Sequence, residues 1–135
     1  GFTCCGKSIE LEKIKTPSYF LSSIEDHIAP WKTTFLGTEL MGGPVEFVLG
    51  GSGHIAGVIN PPAKNKRNFW SDGELGQGAD HWLETATDHP GSWWSHWHDW
   101  LDQQDSKQVP AREIGSHSEY QEIVPAPGDY VRVRI

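Results

Sequence analysis

Apolar residues in this chain come in short runs punctuated by glycine, proline and charge, and the period of the pattern changes from run to run. "YFLSS", residues 19–23, is apolar and aromatic, follows Pro17 and precedes acidic residues, so it predicts a strand. In residues 30–41, Trp31, Phe35, Leu36, Leu40 and Met41 recur at helical spacing. They predict an amphipathic helix with Pro30 as its first residue and Gly42 and Gly43 as its stop. "PVEFVLGG", residues 44–51, predicts a second strand. Val45, Phe47 and Leu49 alternate with Glu46 and Val48, and the apolar Val48 breaks the alternation as a strand covered on both faces would. Strand, acidic loop, helix, strand and histidine loop in that order predict a parallel βαβ unit. In open parallel sheets, chemistry gathers where the strands end, and both loops lie at such ends.

Beyond Pro61 and Pro62 the texture is polar and rich in glycine. "SDGELGQGAD" reads as a connector, with Asp80 capping a short helix to about residue 87. Ser92 caps a second helix, "WWSHWHDWLDQQ", with Trp93, Trp97, Trp100 and Leu101 on one face; core packing is the expected role of those rings. Residues 1–17 read as an irregular lead-in, and residues 125–135 as a turn followed by a short alternating strand. There is no repeat and no internal boundary. This inventory is an α/β one, but two parallel strands and an isolated tail cannot make a self-sufficient sheet. The chain also opens at Gly1. The expectation is part of one α/β domain, incomplete on its own.

Composition narrows the function classes. With 135 residues, 36% apolar and 21% charged, the chain is in the range of one globular domain. Seven tryptophans require places to bury large rings. A formal net charge of -7 argues against nucleic acid as a partner, and "KNKR", residues 64–67, reads as a solvated loop. Cys4 and Cys5 are adjacent, so no disulfide framework exists, which points to a reducing, cytoplasmic setting. No apolar run is long enough to span a bilayer, and no signal-peptide pattern opens the chain.

The candidate chemistry lies in the two loops. His54 stands among Gly50, Gly51, Gly53 and Gly57, and Asp26 follows the first strand. A carboxylate that accepts from one imidazole nitrogen fixes the tautomer and leaves the other nitrogen to take a proton from a nucleophile. Glu25 is the rival acid. His27 is a candidate for shaping the loop or meeting a substrate hydroxyl. His89, His96, His98 and Asp99 form a local cluster, but histidines two apart do not share a helix face, so no metal is assigned. The segment 60–63 reads as a rigid exit from the histidine loop.

At these residues the chain resembles a known family. "EDHIAPWK", then "FVLGGSGHIAGVINPPAKNKRNFW", then "HPGSWW" and the closing "PAPGDYV" are similar to the carboxyl-terminal part of class I polyhydroxyalkanoate synthases, over nearly the whole chain. The resemblance implies the last strands and helices of an α/β-hydrolase fold and a Cys-His-Asp triad. The implied reaction polymerises (R)-3-hydroxyacyl-coenzyme A into polyester with release of coenzyme A, which is substrate and not cofactor. Asp26 matches the family's catalytic aspartate and His54 its catalytic histidine. Which of them deprotonates the 3-hydroxyl is left open. A homodimer at cytoplasmic polyester granules is implied as well. The family's nucleophile sits in a G-x-C-x-G box that this chain lacks; in "FTCCG" Phe2 stands where the first glycine belongs. The nucleophile is therefore expected outside the chain and the chain alone inactive. Two alternatives are a related thioesterase using the same pair and a non-catalytic segment that associates with granules or with an intact synthase.

Overall fold

The structure is a computed structural model that describes residues 2–113, 115 and 119–134. Its centre is a sheet of four strands in spatial order β3-β4-β5-β6: β3 is Ser18–Ser23, β4 Val45–Gly50, β5 Asn68–Ser71 and β6 Thr87–Pro90. The first two strands, β1 (Thr3–Cys4) and β2 (Lys7–Ser8), form a separate hairpin before them. Helix α1 is Trp31–Phe35, α2 is Ala79–Thr85 and α3 is Trp93–Gln104.

The βαβ unit forms as its apolar pattern predicts. Strands β3 and β4 pair in parallel, residue for residue from Ser18 with Val45 to Ser23 with Gly50. Residues 47–50 are buried, which is why Val48 interrupts the alternation: both faces of β4 are covered. Phe47 and Leu49 face α1 and α2 and form the core with Trp31, Phe35 and Trp82. Phe47 meets the Trp82 ring at 4.8 Å and 85°, an edge-to-face contact. Glu46 and Val48 face the other way, toward α3. There Tyr19 packs on Trp100 at 5.3 Å, and Phe69 meets His96 at 5.7 Å. Helices therefore cover both faces of the sheet, an α/β arrangement.

Several expectations are corrected. The sheet has more strands than the apolar runs indicate: β5 and β6 extend it by antiparallel pairing, β4 to β5 and β5 to β6. "NFWS" and "TDHP" are too short, and the second too polar, to show a period of two. The lead-in holds the β1–β2 hairpin; Cys5 and Gly6 make its turn, both with positive φ, as a two-residue hairpin loop of that hand requires. The helix expected over 30–41 is α-helical only for Trp31–Phe35 and continues as a 3-10 turn, Leu36–Glu39. Pro30 is its cap, not its first residue. The Thr38 hydroxyl donates to the Phe35 carbonyl at 2.7 Å, taking an acceptor that a longer α-helix would use. Leu36 and Leu40 are consequently exposed. Gly78, not Asp80, caps α2. In the tail the turn is present, with Gly128 N–H donating to the Pro125 carbonyl, but Tyr130–Arg132 is a 3-10 turn and no strand follows among the described residues. Tyr130, Val131 and Val133 are exposed, so an alternating strand has no face to bury there. Ile135, the end of that expected strand, lies outside the described residues. The α3 expectation holds: Ser92 caps it, its Oγ accepting from Trp94 N–H at 3.2 Å. Its tryptophans are not core, however; none is fully buried, and Trp97 is exposed.

Candidate active site

Because β3 and β4 run parallel and in step, the loops that leave them emerge side by side at one edge of the sheet. Asp26 is three residues past the end of β3 and His54 four past the end of β4. Their side chains meet: His54 Nδ1 is 2.7 Å from Asp26 Oδ2. The Asp26 side chain is only 8% accessible, whereas that of His54 is 46% accessible.

Asp26 is saturated with donors. Oδ1 accepts from the backbone N–H of Ile28 at 2.8 Å and of Ala29 at 2.9 Å, and Oδ2 takes the imidazole. The Ala29 N–H and the His54 ring, with help from Ile28, hold its carboxyl at a pKa of about 2. An ionised carboxylate can only accept, so the proton in the short contact is on His54 Nδ1, which donates. In the neutral imidazole the remaining nitrogen, Nε2, carries the lone pair, and it makes no hydrogen bond among the described residues. A fixed tautomer, a buried anion behind it and an accessible basic nitrogen in front can take a proton from an acidic group and return it.

The glycines around His54 have distinct uses. A Cβ on Gly51 would lie 2.3 Å from Asn68 Oδ1, and one on Gly57 would lie 2.3 Å from Ser23 Oγ. Those positions need close approach. Gly53 has only Glu25 O at 3.7 Å and could carry a methyl group. The left-handed residue of the loop is Ser52, at φ 86°, not a glycine. Glu25, the rival acid, is exposed, and its backbone N–H donates to the Ser52 carbonyl at 3.1 Å, tying one loop to the other. The His27 side chain is exposed and makes no hydrogen bond among the described residues; Asp26 itself shapes the loop. Cys4 and Cys5 are exposed free thiols in the β1–β2 hairpin. Asn60 is buried, its amide donating to the carbonyls of Lys66 and Gly91 at 2.5 and 3.2 Å, which makes 60–63 a fastened exit from the loop.

The histidine cluster is split. His98 is exposed, while His96 turns under α3, with Nδ1 3.0 Å from the Tyr19 hydroxyl and Nε2 3.9 Å from Glu46. His89 is 3.0 Å from Ser71 Oγ and stacks on Phe69. Sequence reasoning missed this network, because its members come from four strands and α3 and share no local pattern. Among the described residues, no group of three or more His, Cys, Asp or Glu is placed to hold a metal ion, and no helix is long and apolar enough to cross a membrane.

Comparison with known proteins relates the chain to longer relatives. No family model matches the chain. The poly(3-hydroxyalkanoate) polymerase subunit PhaC of Rhizobium etli is 50% identical over 129 residues, covering 96% of this chain and 20% of the relative. The chain is homologous to part of the poly(3-hydroxyalkanoate) polymerases. The PhaC subunits of Rhizobium meliloti and Cupriavidus necator are 47% and 45% identical, over 96% and 98% of this chain and 21% and 22% of the relatives. The chain thus spans about a fifth of the length of the curated relatives it matches. The resemblance seen in the loops and in "HPGSWW" accordingly extends over nearly every residue of the chain.

Proposed function

We propose that this chain contributes the aspartate and histidine of a Cys-His-Asp triad to a polymerase that joins (R)-3-hydroxyacyl units from coenzyme A thioesters into polyester. The carrying observation is the 2.7 Å contact from His54 Nδ1 to Asp26 Oδ2, at the ends of adjacent parallel strands. The polymerase homologues support the reaction class, and the α/β-hydrolase frame is part of the same reading.

In this reading, His54 Nε2 takes the proton of a cysteine thiol supplied from outside the chain. The thiolate attacks the thioester carbonyl, the bond to coenzyme A breaks, and the imidazolium protonates the departing sulfur. The acyl group is now on the cysteine. His54 Nε2 next takes the proton of a 3-hydroxyl, whose oxygen attacks the acyl-cysteine. The ester forms and the cysteine sulfur leaves with the proton from the imidazolium. Asp26 is a poor base for the second step. Its pKa is held at about 2 and both its oxygens accept hydrogen bonds, so it stabilises the imidazolium in both halves. Ile28, Ile55 and Ile59 stand exposed on the two loops, an apolar surface suited to an acyl chain.

The test is incubation of the chain, alone and within the full-length protein that carries it, with radiolabelled hydroxyacyl-coenzyme A. Stable acylation and polymer are expected only in the full-length protein. Label on Cys4 or Cys5 of the isolated chain would overturn the assignment of the nucleophile elsewhere, and coenzyme A release without polymer would replace polymerase by thioesterase.

A further inference from the structure

The turn that carries His54 is fastened at both ends. At its entry, Gly51 N–H donates to the Asn68 carbonyl at 2.8 Å and Glu25 N–H to that of Ser52 at 3.1 Å. Between them the chain coils tightly: Gly57 N–H reaches the Gly53 carbonyl at 2.8 Å, and Ile59 N–H that of Ile55 at 2.8 Å. At its exit, the single carbonyl of Val58, four residues after His54, accepts from the Asn60 N–H at 3.1 Å and from two indoles. Trp93 Nε1 is 3.1 Å away and Trp94 Nε1 is 2.9 Å away. Consecutive helical residues point in directions about 100° apart, and the two rings stand at 73° to one another. Both N–H groups reach one oxygen because Val58 sits over the first turn of α3. The cap residue Ser92 adds a third tie, its hydroxyl donating to the Asn60 carbonyl.

Packing alone does not fix this choice of side chain, although Trp93 also meets the Tyr19 and Trp97 rings at 6.4 and 6.1 Å. Both rings are only half-buried, and phenylalanine would cover a similar surface without an N–H. What tryptophan adds here is a donor at the end of a rigid ring, twice, on one acceptor.

We propose that Trp93 and Trp94 are positioning residues for His54: their indole N–H groups grip the Val58 carbonyl and thereby set the height and direction of the turn that presents the imidazole. The proposal rests on the reading of His54 as the proton carrier. The lever is short, about one turn of chain, so losing the grip moves the ring rather than unfolding the domain.

The experiment uses the full-length protein carrying this segment, with the double variant Trp93→Phe/Trp94→Phe, the control Trp97→Phe, and His54→Ala. Trp97 makes no indole hydrogen bond among the described residues. In the double variant we expect kcat to fall about tenfold or more while KM for the acyl thioester hardly changes, since misplacement of a reacting group costs rate rather than affinity. The Nδ1 proton resonance of His54, assigned by its loss in His54→Ala, should shift or broaden with isotope-labelled histidine, and the melting midpoint should stay near wild type. Trp97→Phe should change none of these. An unchanged imidazole resonance in the double variant overturns the proposal. So does a loss of rate matched by a large drop in melting midpoint. If His54→Ala keeps its rate, the functional reading fails, and the resonance still decides whether the indoles position the ring.

Discussion

Of the carboxylate–imidazole pairs among the described residues, two have carboxylates that are tuned in opposite senses. At the strand ends, Asp26 and His54 touch at 2.7 Å, with two backbone N–H groups on the same carboxylate. Under α3, Glu46 and His96 stand 3.9 Å apart, beyond hydrogen-bond reach, with side chains 27% and 25% accessible. Donors hold Asp26 ionised, at a pKa of about 2. Burial, and then the neighbouring Asp72, pushes Glu46 up; burial pushes His96 down, against the pull of Asp72 and Asp99. Burial also drives the Tyr19 hydroxyl far above its ordinary value, so it stays protonated. The residue types are nearly the same. Directed donors preserve charge at the strand ends, and desolvation without donors to the carboxylate suppresses charge where a helix lies on the sheet.

The sharpest way to break the comparison is to remove each pair in turn. His54→Ala and Asp26→Asn, in the full-length protein, should each lower polymer formation by about 10³-fold or more, the scale at which triad members act. Asp26→Asn should slow elongation at least as much as first acylation. Glu46→Gln and His96→Gln should leave turnover near wild type. Polymer assays with coenzyme A release in parallel check all four. Wild-type rates in the first two, or a collapse in the second two without loss of fold, would reverse the roles assigned here.

A smaller effect separates glycines that the histidine loop needs from one it does not. Gly57→Ala should destabilise by about 1–3 kcal/mol, as forced overpacking does, because its Cβ would press on Ser23 Oγ at 2.3 Å and Ser23 Cβ at 2.9 Å. Gly53→Ala, with its nearest neighbour at 3.7 Å, should be close to neutral. Denaturant midpoints of the two variants test this directly.

That contrast also marks where the sequence was legible. The glycines around His54 announce a special loop, but only coordinates separate close approach from open space, and the left-handed turn falls on Ser52. The parallel unit and α3 could be read because β3 is an apolar and aromatic run bounded by Pro17 and acidic residues, β4 and α3 carry a period long enough to count, and the Ser92 cap marks the start of α3. Strands β5 and β6 could not, because four residues each, one of them ending in Pro90, leave too short a pattern. For the site, strand order alone brings Asp26 and His54 to neighbouring loops. The indole grip on Val58 and the Tyr19–His96 contact span 35, 36 and 77 residues, and nothing local encodes them.

The pair under α3 makes a further, weaker prediction through pH. Glu46 has a raised folded pKa, so it withholds stability as pH rises from the ordinary glutamate value of about 4.3 through the raised one. His96 has a lowered folded pKa, so stability is lost as pH falls below the ordinary histidine value of about 6.5. Asp26 is lowered, so its contribution is full above about 3.9 and is lost as pH falls through about 2. Glu46→Gln should therefore raise the denaturant midpoint at pH 7.5, and the gain should vanish near pH 4. A gain that persists at pH 4 would show that shape, not charge, is responsible.

The smallest effect concerns Ser23, against the histidine loop. It ends β3, lies 1% accessible beside Gly57, and its Oγ has no hydrogen-bond partner among the described residues. A buried hydroxyl without a partner keeps its desolvation cost and returns nothing for it. Ser23→Ala should therefore leave stability unchanged or raise it by up to about 1 kcal/mol. It should also relieve part of the damage in Gly57→Ala, because the nearest atom is gone while the Cβ at 2.9 Å remains. The measurement is a double-variant cycle of denaturant midpoints. A clear loss of stability in Ser23→Ala would mean that the hydroxyl has a partner, such as a buried water, and that the loop rests on it.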